Sequence, residues 1–497
     1  MNDATLHPVT DQARARVIVL ACAAAALAFG GFAALGSEQW VATMLVALCF
    51  VVAAWCLPLS LVALALAALT PAQLYFAFAG TFNLRGALLF VFAAALRVLV
   101  TQNWRARLRD GDWRTASIAA AIFLGAATSA AITAPNRYLA LKGIYDWLPI
   151  FASAFVIGIV VRTPRLARQI VIVLIGAGVI EAWLGLAETA LGLPRVLAAL
   201  RSPFSELFFQ PNLLRERIEQ VAFNWIAFDR VLPFGTFING IDFAIYMAAL
   251  LALVIGLLVG QTQPAKSKIR IATFLTLAAC AILFGGALLQ TLKGSGLIAL
   301  TGGLLALGGL SLPRWSPRTL ALGVLVGVVA LALAAPFYDA IATRVIFLIQ
   351  RETGIVTTSG RAAIWAHLLG YVPARAWFGW GLNNTALLVE PLPSLMAGTF
   401  VFNTPTAESA YVAVLVETGV IGFVGLMTFL ALALARAWRS ARRAETPAWV
   451  IGVGAAIVAL LCGSLTVVGL VTEQNGMLLG LLIGLIFSGG NAPPTDE

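Results

Sequence analysis

The chain has 497 residues and a formal net charge of +10, yet only 11% of its residues are charged, against roughly 25% in an average soluble domain. Hydrophobic residues make up 61% of the sequence, and the mean hydropathy is +0.95. So many apolar side chains do not fit inside soluble cores of ordinary size. The composition therefore excludes a water-soluble protein and makes nucleic acid a remote interpretation of the positive charge.

Long apolar runs follow one another along almost the whole chain. A helix needs about 20 apolar residues to cross the hydrocarbon core of a bilayer. Runs of this kind predict an all-α polytopic membrane protein with about 12–14 transmembrane helices. The expected spans lie near residues 17–35, 41–57, 59–79, 86–102, 117–134, 142–162, 167–188, 236–260, 270–289, 295–311, 319–336, 409–436, 448–470 and 475–489.

The distribution of Lys and Arg predicts the orientation of these spans, because short cytoplasmic loops collect basic residues. With the N-terminus inside, the inner segments hold 18 basic residues, and the short outer connections hold only Arg85, Arg137, Lys142 and Lys293. Both termini are therefore predicted to be cytoplasmic. The two long segments between spans, residues 189–235 and 337–408, then lie outside, and we expect the function to face outward.

This arrangement divides the chain into five predicted parts. They are N-terminal transmembrane helices (1–188), an outer amphipathic loop (189–235), central transmembrane helices (236–336), a large outer loop (337–408), and C-terminal transmembrane helices with a short cytoplasmic tail (409–497). Apolar residues at helical spacing in residues 213–226 of the first loop predict a helix that lies along the membrane interface.

Acidic residues inside predicted spans point to the kind of function. Each such residue adds about 2.5 to 3.5 kcal/mol to the free energy of inserting its helix into the membrane, so its presence there requires an explanation. A transporter places its polar groups near the midplane, whereas a transferase acting on a lipid-linked substrate needs them at headgroup depth. The distribution favours the transferase, although each acid could instead be structural, as in a pair of Lys142 with Asp146. All the acids lie in outer helix halves: Asp146, Glu181, Asp242 and Glu417.

One acidic motif has a tempting alternative interpretation. Asp110-Gly111-Asp112 is similar to the Asp-x-Asp that binds a divalent cation in nucleotide-sugar transferases. It lies, however, in a short, Arg-rich inner loop opposite the expected functional face. We therefore predict a solvated charge cluster there and no metal site.

Basic residues stand beside glycines in three outward-facing stretches, residues 230–240, 291–296 and 358–365. The third leads through Gly379-Trp380-Gly381 to a Glu-x-Gly-x-x-Gly element within residues 407–422. Taken together and in this order, these motifs resemble the bacterial O-antigen ligase superfamily, which includes O-antigen ligases and Wzy-type O-antigen and exopolysaccharide polymerases. The resemblance covers about residues 230–422.

The resemblance implies a multi-span, GT-C-like fold with a large periplasmic loop between late helices, in the bacterial inner membrane. It implies glycan transfer from undecaprenyl diphosphate on the periplasmic face, with neither a metal nor another cofactor. The acceptor would be a second lipid-linked glycan or the lipid A-core. Nucleic acid is not among the partners that it implies.

The same resemblance assigns the basic residues. Arg230 matches the family's arginine ahead of its Gly-Thr-Phe element, and Arg361 the arginine of its outer loop; both would hold the donor diphosphate. Lys293 occupies a turn where many members have a basic residue. Fixed cations of this kind stabilise a departing diphosphate. In the alternative, Arg230 and Lys293 bind lipid phosphates non-specifically and Arg361 only caps the loop.

One position departs from the family pattern. Where ligases carry a His-Asn pair, this chain has Glu408-Ser409, followed by Ala410-Tyr411. A carboxylate can also activate an acceptor hydroxyl as a general base, so we predict Glu408 as the catalytic base; a loop-holding ion pair with Arg361 or Arg230 is the alternative. His367 is predicted to be structural. Three aromatic residues are predicted to stack on sugar rings, namely Trp365, Trp380 and Tyr411. In the alternative, each of them packs in the protein core or at the membrane interface.

The missing histidine favours a polymerase over a ligase. We therefore expect a metal-independent, inverting glycosyltransferase that polymerises undecaprenyl-diphosphate-linked repeat units. An O-antigen ligase is the alternative within the same chemistry, and a polysaccharide or lipid transporter is the alternative from another class.

Overall fold

The computed structural model describes residues 39–71, 75–78, 82–202, 211–228, 231–260, 268–311, 361–389, 407–443 and 447–488. The predicted spans at 17–35 and 319–336 lie outside these residues. Almost all of the described part is helical. In chain order its elements are α1 (Gln39–Cys56), α2 (Leu59–Leu69), β1 (Tyr75–Phe78), β2 (Phe82–Arg85), α3 (Gly86–Thr101), α4 (Trp104–Arg107), α5 (Gly111–Thr133), α6 (Arg137–Val160), α7 (Pro164–Leu200), α8 (Pro211–Phe228), α9 (Gly240–Gly260), α10 (Lys268–Thr291), α11 (Gly294–Ser311), α12 (Arg361–Gly370), α13 (Thr385–Val389), α14 (Ala410–Ala441), α15 (Ala448–Gly463) and α16 (Glu473–Ser488).

Seven of the described helices are long and apolar enough to cross a membrane, namely α5, α6, α7, α9, α10, α11 and α14. A bilayer favours helices because each backbone N–H and C=O in the hydrocarbon must be bonded within the protein. Large apolar side chains such as Ile132, Leu275 and Leu305 are 66%, 61% and 73% exposed on the outside of the bundle, which suits contact with lipid. The predicted all-α polytopic fold is confirmed, and the chain is a multi-pass membrane protein.

The predicted span at 59–79 is wrong in its second half. Helix α2 ends at Leu69, and strands β1 and β2 follow as an antiparallel hairpin in which Tyr75 lies opposite Arg85. Pro71 explains the helix end, since proline lacks the N–H that would continue the helical hydrogen bonds. The aromatic residues of β1 suit a strand.

Several helices also differ in length from the predicted spans. Helix α7 continues past residue 188 to Leu200, with a break at Gly192, where φ is +73°. Helix α14 continues to Ala441 and is broken at Gly419. The predicted span at 448–470 ends as a helix at Gly463. Hydropathy does not report these breaks, because glycine at a kink is compatible with an apolar run.

Glycines allow the central helices to pack closely. A side chain on Gly480 of α16 would overlap the backbone of Ile150 in α6, and one on Gly256 of α9 would overlap Gly452 of α15. Small residues serve this purpose in membranes, where van der Waals contact drives helix association. The tight core holds the helix ends, and therefore the loops, in fixed positions.

The two ends of the bundle differ in charge. At one end, the arginine end, Arg436 donates to Asp110 (2.8 Å) and Arg439 to Asp112 (2.5 Å). Asp110 also caps α5 by accepting from the N–H groups of Asp112 (3.1 Å) and Trp113 (3.5 Å). The Asp-x-Asp carboxylates are thus used for structure. The opposite end, which we call the loop end, carries the buried acids Asp146, Glu181, Asp242 and Glu417.

Candidate active site

At the loop end, a glycine-rich loop formed by residues 376–384 packs beside the break of α14 at Gly419. The N–H of Trp380 donates to the carbonyl of Val416 (3.0 Å), and that of Gly381 to the carbonyl of Glu417 (2.8 Å). On the other side of the break, the N–H of Val420 donates to the carbonyl of Ala376 (2.7 Å). The loop therefore takes the place of the hydrogen bonds that the broken helix lacks.

Glycine is required at this break for two reasons. Gly419 has φ of +65°, which disfavours other residues, and a side chain there would overlap the backbone of Trp377. Gly379 has φ of +72° and faces the backbone of Glu417 equally closely. These positions explain why the Gly-x-Gly and Glu-x-Gly motifs occur together in one sequence.

We predict that Gly419→Ala lowers the stability of the protein by at least about 2 kcal/mol, because it adds both backbone strain and overlap. Thermal unfolding of the purified protein in detergent measures this loss. The matched control is Gly125→Ala in α5, where a new side chain meets no atom within 4 Å. Equal unfolding temperatures for the two variants would contradict the prediction.

Glu417 orders the loop. Its buried carboxylate accepts from the hydroxyl of Thr385 (2.6 Å) and from the N–H of the same residue (3.2 Å), at the first turn of α13. Next to it, Asn384 bonds the backbone of Asn136 through both its amide oxygen (2.9 Å) and its amide nitrogen (3.2 Å). Glu417 thus fixes the position of the glycine-rich loop.

The loop also meets the N-terminal helices at a small polar cluster. Arg85, at the end of β2, lies 3.5 Å from the carboxylate of Asp146 in α6. Asn383 donates to the same carboxylate (3.3 Å) from a left-handed backbone conformation with φ of +59°. Asp146 therefore has partners beyond its own helix, and the ion pair that the structure gives it is with Arg85.

Lys293 lies in the tight turn between α10 and α11. The preceding residue, Leu292, has φ of +56°, and the N–H of Lys293 donates to the hydroxyl of Thr291 (3.3 Å). The Cε atom of Lys293 is 3.5 Å from the point where a Cβ on Gly240 would lie. The turn therefore brings this cation beside the N-terminus of α9.

Asp242 occupies that same N-terminus. Asn239 caps α9, since its side-chain oxygen accepts from the N–H groups of Ile241 and Asp242 at 2.9 Å each. The amide nitrogen of Asn239 donates to the Asp242 carboxylate (2.6 Å). Asn475 of α16 donates to the Asp242 carbonyl (3.3 Å), so this acid also has a structural role.

Glu408 is held in a strained conformation between two buried residues, Ala407 and Ser409. Its φ of +49° is unusual for a residue with a side chain. The N–H of Ala410 donates to the carbonyls of Ser464 and Val467, at 3.1 Å each. Strain of this kind persists where the surroundings impose it and is frequent at functional sites.

A hydrogen bond of Trp365 joins the two elements that carry the predicted catalytic positions. Its indole nitrogen donates to the carbonyl of Ala407 (2.9 Å), the residue before Glu408. Trp365 belongs to α12, the helix that begins at Arg361. The side chain of Arg361 lies outside the described part of the structure, and so does Arg230, but the helix that starts with Arg361 is bonded directly to the Glu408 segment.

The predicted sugar-binding aromatic residues all have internal hydrogen bonds. Besides Trp365, Trp380 donates to the carbonyl of Tyr371 (3.1 Å), and Tyr411 to that of Leu461 (2.8 Å). The guanidinium of Arg375 lies 4.3 Å from the centroid of the Trp380 ring. These contacts support the structural alternative for each residue, while stacking on sugars stays a prediction.

His367 has the structural surroundings predicted for it. Its Nε2 lies 3.0 Å from the carbonyl oxygen of Leu388, and its ring packs edge-on against Tyr371 at 5.1 Å between centroids. The contact ties α12 to α13.

Sequence reasoning missed two charged residues at this end, Glu188 and Arg217, which form a buried ion pair. A signal for Arg217 is present in the sequence. It stands three residues after Leu214 and four before Val221, so it falls on the apolar face of α8. That face packs on the end of α7 and on residues 231–234. Other parts of the protein therefore cover at least part of the apolar helix face that was predicted to lie against the membrane interface.

The family model described as O-antigen ligase matches residues 278–427, and a comparison with curated proteins finds no match. The matched part contains the Lys293 turn, helix α12, the glycine loop, Glu408 and the break at Gly419. Among the predicted site residues, only Arg230 lies outside it. Members of this family are glycosyl-transferring enzymes, and their substrates are lipid-linked glycans. Residues 278–427 of this membrane protein therefore match the O-antigen ligase family, which supports the resemblance seen in the sequence.

Proposed function

We propose that the protein is an inner-membrane glycosyltransferase that polymerises undecaprenyl-diphosphate-linked oligosaccharide repeat units on the periplasmic face. The observation that carries the proposal is the bond from Trp365 to Ala407, within the segment that matches the family. It joins the helix that begins at Arg361 to the strained Glu408, so a cation for the leaving group and a base for the acceptor come from adjacent elements.

Three cations, Arg230, Lys293 and Arg361, hold the donor diphosphate in this proposal. The diphosphate gains negative charge as it departs, and positive charges fixed before the reaction stabilise that change without reorganisation. Arginine suits the task because its planar donors match phosphate oxygens in pairs. The cations thereby supply the charge stabilisation that a divalent metal ion supplies in other transferases.

Glu408 activates the acceptor. Its carboxylate takes the proton of a sugar hydroxyl, whose oxygen forms a bond to the anomeric carbon of the donor. The bond between that carbon and the phosphate oxygen breaks, and its electron pair leaves with undecaprenyl diphosphate. Attack from the side opposite the leaving group inverts the anomeric configuration. Trp365, Trp380 and Tyr411 stack on sugar rings in this proposal.

Reconstitution tests this chemistry directly. The purified protein in detergent, given lipid-linked repeat units, should form new glycosidic bonds between them. In proteoliposomes, movement of the substrate across the membrane without any new bond would contradict the transferase and favour a transporter.

A strain that lacks the gene distinguishes polymerase from ligase. Loss of long polymer, with single repeats still attached to lipid A-core, is the result expected for a polymerase. Full-length chains that accumulate on their lipid carrier would instead identify an O-antigen ligase that uses lipid A-core as its acceptor.

A further inference from the structure

Charged side chains hold a four-residue turn, Phe234–Phe237, at the loop end. Glu188 of α7 accepts from the N–H groups of the first two turn residues, at 2.8 and 3.0 Å. Arg217 of α8 donates to the carbonyl oxygens of the second and fourth, at 2.5 and 2.9 Å. Glu188 and Arg217 also contact each other directly. We call this pair the turn clamp.

A third charged side chain, the carboxylate of Glu181, completes the arrangement. Glu181 accepts from the N–H and from the hydroxyl of Thr236, at 2.9 Å each, and the same hydroxyl lies 2.7 Å from the carbonyl oxygen of Pro71. Gly235 has φ of +57°, and a Cβ there would come within 2.5 Å of the Glu181 carboxylate. The turn is therefore bonded to α7, to α8 and to the segment that follows α2, and these bonds restrict its movement.

Burial distinguishes the turn clamp from an ordinary ion pair. The side chains of Arg217 and Glu188 are 3% and 18% exposed. On the same helix, Arg215 pairs with Glu219 at 2.9 Å, but those side chains are 81% and 40% exposed. A buried ion pair is weak evidence for stability, because desolvation offsets the attraction between the charges. The clamp is better explained by the backbone geometry that it imposes.

The turn lies between two predicted diphosphate-binding positions. It begins four residues after Arg230 and ends three residues before Gly240, where α9 starts and where Lys293 lies alongside. The path of the chain from Arg230 to the neighbourhood of Lys293 therefore runs through the clamped turn. A shift of the turn would therefore disturb the chain that leads into the N-terminus of α9, beside Lys293.

We infer that Glu188 and Arg217 are positioning residues for the donor diphosphate: they fix the turn that connects Arg230 in sequence to the N-terminus of α9, beside which Lys293 lies. The inference rests on the proposed function, because it assumes that these two cations bind the diphosphate. Neither clamp residue touches the substrate. Their effect is on orientation, for which a misplacement of about 1 Å can cost roughly a hundredfold in rate.

The test measures inhibition of the purified enzyme by undecaprenyl diphosphate, which carries the diphosphate without a glycan. Glu188→Gln removes the charge and keeps one acceptor oxygen, and Arg217→Lys keeps the charge but cannot reach both carbonyls. We expect each variant to need about tenfold more undecaprenyl diphosphate for half-inhibition. The matched controls, Glu219→Gln and Arg215→Lys in the exposed pair of the same helix, should be inhibited like the wild type.

The outcomes separate this inference from the proposed function. A wild-type enzyme that forms no glycosidic bond overturns the proposed function itself. An active wild type whose clamp variants keep the wild-type inhibition constant overturns the inference, because a clamp needed only for folding reduces the amount of active enzyme and leaves that constant unchanged. If both conservative variants fail to accumulate in membranes, the clamp is assigned to folding and the inference is likewise overturned.

Discussion

Arg361→Ala should abolish glycan transfer while the protein still accumulates in the membrane. Removing one fixed cation that stabilises a developing anion lowers turnover by at least about a hundredfold. Folding should be spared because α12 is anchored by other contacts, the bond from Trp365 to Ala407 and the burial of Leu368. The measurement is glycosidic-bond formation per amount of purified protein.

Two further variants define what Arg361 contributes. Arg361→Lys keeps the charge but loses the paired donors, so we expect intermediate turnover. Arg201→Ala removes an exposed arginine from the turn after α7 and should leave turnover unchanged. Full activity in Arg361→Ala would contradict the assignment, and an unstable Arg361→Ala protein would support the alternative in which this arginine only caps the loop.

The fold was largely predictable because lipid restricts the possible structures. Apolar runs that cross a bilayer must be helical, and the structure has a helix within every predicted span that its described residues reach. The exceptions have local causes: Pro71 ends α2 early, and glycines at 192 and 419 break helices that remain apolar on both sides. A hydropathy pattern contains no information on these backbone angles.

The location of the buried acids was predictable, but their partners were not. Asp146, Glu181 and Glu417 lie at one end of the bundle, as their positions within the spans predict. Their partners come from distant parts of the chain; Thr385, for example, is 32 residues from Glu417. Pairing over such distances depends on how helices pack, and the nearest candidate in sequence, Lys142 for Asp146, is not the ion pair that the structure gives.

The motifs predict a set of candidate site residues, but they do not predict how those residues are arranged. The motifs placed Arg361 and Glu408 in one outer loop, and the structure adds the contact between their elements, which joins residues 42 apart. The turn clamp was missed because an arginine in an amphipathic helix is usually assigned to the solvent. Arg217 stands three residues after Leu214 and four before Val221, on the apolar face of α8. Arg215 does not have this helical spacing, and that difference distinguishes the two arginines.

Glu408→Gln should reduce turnover by about a hundredfold or more, because the amide keeps the shape of the side chain and removes the base. The measurement is again glycosidic-bond formation by purified protein. Glu219→Gln, which removes a carboxylate from the same end of the protein, should be fully active. Full activity in Glu408→Gln would exclude the general-base role.

Glu408→Gly distinguishes the base from a loop-holding ion pair. At φ of +49°, glycine relieves strain of about 1 kcal/mol, and this gain is offset by the greater freedom of glycine in the unfolded chain, worth about 0.4 to 1 kcal/mol. If Glu408 is the base, the unfolding temperature stays near that of the wild type while turnover is lost. Added formate, a small carboxylate that fits the vacated space, then restores part of the activity. If Glu408 instead holds the loop by an ion pair, the unfolding temperature falls together with activity, and formate has no effect.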